Sequence, residues 1–102
     1  MNEKSEPSTN PNAVSDMQTL MLEIARALVD EPEAVQVEAS DAEGATVLRL
    51  RVAPSDIGKV IGKQGRTARC LRTILGAASM KHRHRFSLDI IEAEEDEDSD
   101  EG

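Results

Sequence analysis

The apolar positions of the chain fall into six runs, and their spacing assigns each run a type. Met17, Leu20, Met21, Ile24 and Leu28 recur at intervals of three and four, which is one stripe of a helix. Ser15 stands where a cap belongs and Gln18, three residues on, completes a capping box. Pro32 ends that helix near Val29 or Asp30. Val35 to Ala39 then alternates apolar and polar residues, Asp41 to Gly44 supplies a turn, and Thr46 to Ala53 alternates again with Leu48, Leu50 and Val52 on one side. This pattern predicts an antiparallel hairpin with one covered face. Pro54-Ser55-Asp56 opens a short helix to about Ile61, with Ile57, Val60 and Ile61 as its apolar side and with Ser55 and Asp56 as acceptors for its free amides. A longer helix follows Gly65 to about Met80 and is expected to bury Cys70, Leu71, Ile74, Leu75 and Ala78. Phe86 to Ile90 alternates once more, as a last strand.

The order is αββααβ. A strand that follows a two-helix crossover lies parallel beside the strand before it. The expected fold is therefore α+β, a three-stranded mixed sheet covered on one face by three helices. Residues 1–14 and 92–102 contain almost nothing to bury, so they are expected as a disordered arm and a disordered acidic tail around one domain spanning 15–91.

Composition narrows the chemistry. No run approaches the roughly 18 apolar residues of a membrane span, and the first residues lack the pattern of a signal peptide, so a cytoplasmic location is expected. A single cysteine, Cys70, excludes an internal disulfide and a cysteine-built metal site, and it is expected as a small buried residue. His82 and His84 are too few for a zinc constellation. Nothing in the sequence calls for a cofactor or a metal, and no nucleophile and base stand together, so the chain does not read as an enzyme.

Charge changes the picture most. The formal net charge is −8, yet from Ile57 to Leu88 there is no Asp or Glu, while Lys59, Lys63, Arg66, Arg69, Arg72, Lys81, Arg83 and Arg85 supply eight positive charges. From Glu92 onward there are eight acids and no base, and without them the chain is neutral. A basic region is hidden behind an acidic tail.

Inside that region Gly62-Lys63-Gln64-Gly65 joins two helices. It is not a nucleotide-binding P-loop: only three residues separate Gly58 from Gly62, Gln64 stands where a hydroxyl would hold magnesium, and no strand precedes the loop. A plain tight turn would explain the glycines. It would not explain Arg66 and Arg69 in the early turns of the next helix, where the macrodipole makes each cation unfavourable by about 0.3 to 1 kcal/mol. A bound phosphate resolves that conflict, since amides, Lys63 and Arg66 then share one anion. Helix-GxxG-helix is the sequence form of a KH domain.

The stretch Val52-Ala53-Pro54-Ser55-Asp56-Ile57-Gly58-Lys59-Val60-Ile61-Gly62-Lys63-Gln64-Gly65-Arg66 resembles the signature of small bacterial KH-domain RNA-binding proteins of the KhpA type, the YlqC-like family. The resemblance covers about Met17 to Ile91 and implies a type II, prokaryotic KH fold. It implies further that Gly62, Lys63, Gln64 and Gly65 contact phosphates, and that Gly58 and Ile61 border a groove for unpaired bases. Lys59, Arg66 and Arg69 complete the expected RNA-binding set. Lys81, Arg83, His84 and Arg85 flank the groove or form an ordinary charged loop. The resemblance also implies single-stranded RNA as partner and a homodimer, or a heterodimer with a larger KH-containing protein. The role it implies is that of an RNA chaperone or post-transcriptional regulator tied to cell shape and wall organisation. The rival expectation is a protein-interaction adaptor on the same scaffold that binds no RNA.

Overall fold

The computed structural model describes residues 12–42 and 44–93; the rest of the expected arm and tail lies outside them. Helix α1 spans Ala13–Leu28, strand β1 Gln36–Ala42 and strand β2 Ala45–Val52. Helix α2 (Ile57–Ile61) and helix α3 (Arg66–His82) come next, and strand β3 (Arg85–Glu92) completes the fold. Short 3-10 turns at Pro32–Ala34, Pro54–Asp56 and Lys63–Gly65 join them.

The sheet has the order β1-β2-β3. β1 pairs antiparallel with β2 (Val37 opposite Leu50, Ala39 opposite Leu48), and β3 pairs parallel with it (Thr46 with Phe86, Leu48 with Leu88). This register puts Leu48, Leu50, Val52, Phe86 and Leu88 on one face, where all are buried. The helices supply Met21, Ala25, Val60, Leu71 and Leu75 to the same core. The other face carries Glu38 and Arg51, paired at 3.3 Å, and stays wet. The α+β fold with one covered face is the type II KH architecture expected from the order of elements.

Several local expectations are corrected. Ser15 does not cap α1: the helix begins at Ala13, and Ser15 is exposed in its first turn. Gln18, expected to close the capping box, donates instead through Nε2 to the Val37 carbonyl (3.1 Å) and ties α1 to β1. On α3, Cys70 is exposed and Ile74 is 40% exposed. The inward face of that helix centres on Ala68, Leu71 and Leu75, and at 100° per residue Cys70 and Ile74 stand a quarter to a third of a turn away from it. Leu28 and Ile61 are likewise at the surface, leaving Ala25 and Val60 as the innermost residues of their helices.

The acceptors before α2 serve a different element. Asp56 is buried and makes no cap of its own helix; its carboxylate accepts the N–H groups of Asp30 (3.2 Å) and Glu31 (3.0 Å), just beyond the end of α1. Ser55 donates to Glu31 Oε2 at 3.4 Å. The basic connection expected from Lys81 to Arg85 shrinks to two residues, because α3 runs on through His82 and β3 starts at Arg85. Arg83 turns the chain with φ +54°.

Candidate nucleic-acid interface

α2 ends where the Gly62 N–H bonds the Gly58 carbonyl at 2.8 Å. Gly62 then takes φ +81°, ψ 170°, a region essentially reserved for glycine. A Cβ there would collide with the Thr67 hydroxyl and lie 2.8 Å from its Cβ and 2.9 Å from its backbone nitrogen. Two positive φ values follow, Gln64 at +57° and Gly65 at +74°, and the Gly65 N–H closes the turn on the Gly62 carbonyl (3.0 Å). Gly65 has open space where a Cβ would stand, so its φ alone selects glycine. Thr67, which fills the space a Cβ on Gly62 would need, is a residue that no sequence pattern singles out.

Gly58 behaves differently. It is exposed on α2, and a Cβ added to it would meet nothing within 4 Å. Packing within the fold gives no reason for a glycine here; what remains is a bare backbone surface one turn before the loop. Ile61 presents its apolar side chain beside it, 37% exposed.

The charged residues divide into held and free. Lys59 Nζ sits 3.3 Å from Asp30 Oδ2 and 3.5 Å from Asp56 Oδ1, so much of its charge is matched inside the fold. The hydrogen bond and charge of Asp30 raise the Lys59 pKa further. Burial pushes the Asp56 carboxyl upward, but the two N–H bonds and the Lys59 ammonium outweigh it and hold the pKa below the ordinary carboxylate value. Lys63, Arg66 and Arg69 are exposed, and among the described residues none of them is in an ion pair. Arg66 leans to Gln64 Oε1 at 3.4 Å. Gly58 and Ile61 on α2 and Lys63, Gln64 and Arg66 at the loop are thus exposed, with Arg69 a turn further along α3, Val60 in the core and Lys59 tied back to Asp30 and Asp56.

The other basic residues lie elsewhere. Arg72 donates to the Leu88 carbonyl at 3.1 Å and covers the open edge of β3. Lys81, Arg83, His84 and Arg85 stand at the far end of α3, about 25 Å from the loop for a 17-residue helix, so they do not flank it. His84 packs edge-on against Phe86 (5.1 Å between centroids), as does His82 (6.4 Å). Among the described residues no group of three or more His, Cys, Asp or Glu is placed to hold a metal ion, and no helix is long and apolar enough to cross a membrane.

The chain matches the KhpA/KhpB KH-domain family over residues 18–90. It is 53% identical over 73 residues to a Treponema pallidum protein named RNA-binding protein KhpA, covering 72% of this chain and 91% of that one. Proteins of the same name from Halalkalibacterium halodurans (50% over 76 residues) and Clostridium acetobutylicum (48% over 75) are each covered in full by 74% of this chain. The fold recurs in a crystal structure of Aquifex aeolicus Era bound to GDP and aluminium fluoride, with a TM-score of 0.51 and 14% identity over 94% of this chain and 37% of that one. That last likeness is one of fold alone. With a match over most of the described residues and relatives at about half identity, the chain belongs to the KhpA/KhpB KH-domain family, which is not a family of enzymes.

Proposed function

We propose that this protein binds single-stranded RNA through the Gly62–Gly65 loop and acts as a non-catalytic post-transcriptional regulator or RNA chaperone. The observation that carries this reading is the loop itself: a left-handed turn in which Thr67 leaves no room for a Cβ on Gly62, followed by Lys63, Arg66 and Arg69, exposed and, among the described residues, outside any ion pair, in an otherwise acidic protein. Related proteins of this family are named for RNA binding. The sugar-phosphate backbone rests on Lys63, Gln64, Arg66 and Arg69, and bases reach the apolar and bare surface of Ile61 and Gly58. The absence of Trp and Tyr fits recognition without an aromatic stacking platform.

Lys63 and Gln64 are exposed, and aspartate tolerates the φ of position 64, so Lys63→Asp with Gln64→Asp leaves the fold intact. Its affinity for RNA falls at least about tenfold, or roughly 1.4 kcal/mol, with an unchanged circular dichroism spectrum. Undiminished binding by the folded variant would refute the reading.

The same reading includes dimerisation, with a second copy or with a larger KH-containing protein. The outward side of α3 supports it, for it lines up Cys70, Ile74, Ala77 and Met80, the last 82% exposed. That apolar side also favours a second reading, an adaptor that binds protein alone. Crosslinking and sequencing of attached RNA separates the two, because an adaptor gives no enrichment over the loop variant.

A further inference from the structure

At the end of α3 opposite the loop lies an open depression lined by Gly44, Ser79, Met80, Arg83, His84 and Arg85. Its floor is built rather than incidental. The Phe86 N–H donates to Ser79 Oγ (2.9 Å), whose hydroxyl donates to the Leu75 carbonyl (2.9 Å). The buried Thr46 hydroxyl donates to Asp41 Oδ1 (2.9 Å) and lies 2.7 Å from His84 Nε2, which places the ring proton on Nε2. The Arg85 N–H bonds the Gly44 carbonyl at 3.2 Å. Arg83 and Arg85 on its rim and Lys81 in the last turn of α3 beside it are exposed, and among the described residues none of the three is in an ion pair. Cations at the end of a helix complement its dipole, which accounts for Lys81. It does not account for Arg85, which is already in β3, or for Arg83, which holds φ +54° at a helix end where glycine is the usual residue.

We propose that this cluster is a second phosphate-contacting surface, which holds the flank of an RNA whose first nucleotides lie on the glycine loop. The proposal rests on the reading of the loop given above. RNA is favoured as the ligand because both clusters sit on one helix and no carboxylate occurs between Ile57 and Leu88. The clusters are separated by about 25 Å, close to seven nucleotides at a stacked rise of 3.4 Å. A loop that clamps four nucleotides therefore engages a 5-mer alone, whereas a 14-mer reaches both ends.

The test uses the full chain with unstructured RNA of those two lengths. Lys81→Gln, Arg83→Gly and Arg85→Gln are combined, glycine being chosen to suit the backbone at position 83. This variant should bind the 14-mer at least about tenfold more weakly, with the slope of log affinity against log salt reduced by about two, for three lost contacts at 0.7 each. Its affinity for the 5-mer should not change. Unchanged 14-mer binding overturns the proposal, as does an equal loss on both lengths. In parallel, the Lys63→Asp, Gln64→Asp variant should lose the 5-mer. If it does not, the loop reading fails and the second surface with it; if it does while the cluster variant keeps the 14-mer, the second surface alone fails.

Discussion

Three glycines that look alike in sequence hold different positions in energy. Gly62 combines a glycine-only backbone with a collision against Thr67, so Gly62→Ala should cost about 2 to 3 kcal/mol. Gly65 has only its positive φ to defend, and Gly65→Ala should cost about 1 to 2 kcal/mol. Gly58 sits in a helix with free space around it, so Gly58→Ala should stabilise the fold by roughly 0.5 to 1 kcal/mol. If bases approach that backbone, the same methyl group lowers RNA affinity while the melting temperature rises. Thermal denaturation and RNA titration of the three variants check the series, and a Gly58→Ala protein that is more stable and binds equally well would remove Gly58 from the groove.

At the scale of elements, α1 and α2 are joined by a polar lock instead of by apolar packing alone. Asp56 gathers the N–H groups of Asp30 and Glu31, and Lys59 bridges Asp30 and Asp56. The Asp56 pKa is lower folded than unfolded, so its stabilising contribution is present above the ordinary carboxylate value near pH 4 and disappears as pH falls through the folded value. Asp56→Asn should therefore lower the melting temperature most at neutral pH, and the gap to wild type should narrow below about pH 4. A gap independent of pH would show that the charge contributes nothing. This lock was illegible in the sequence, because a carboxylate and amides 25 and 26 residues apart leave no periodic trace. The strands were legible, since a sheet with one wet face forces the alternation seen at Leu48, Leu50 and Val52. Helix spacing gave the existence of α3 but not the centre of its buried face, which is why Cys70 and Ile74 were expected inside.

For the whole molecule, the split of charge and the exposed apolar side of α3 each carry a prediction about the proposed RNA and dimer contacts. The loop could be read in advance because its glycines, lysine and arginines are contiguous; the pairing of Lys59 with Asp30 could not, because that partner comes from beyond the end of α1. Ile74→Glu puts a charge on the exposed apolar side without touching the core, so it should convert a dimer into monomer by light scattering. A wild-type chain that is already monomeric at high concentration would remove the homodimer from the proposal. Deleting residues 94–102 removes seven acids and takes the formal charge from −8 to −1. RNA should then bind more tightly at low salt, with the advantage fading as salt screens it. Equal affinity at all salt concentrations would show that the tail exerts no such field.

The parallel pairing of β2 with β3 also has a bearing on how the molecule comes into being. Ala45 meets Arg85 forty residues downstream, with the loop and both flanking helices made in between. Such a pairing closes late, because the chain entropy of a long excursion is surrendered before any contact rewards it. While the ribosome still holds β3, Leu71 and Leu75 have no Phe86 or Leu88 to pack against, and α3 has no sheet on which to rest. The sheet edge on which α3 rests is thus among the last parts of a newborn chain to close.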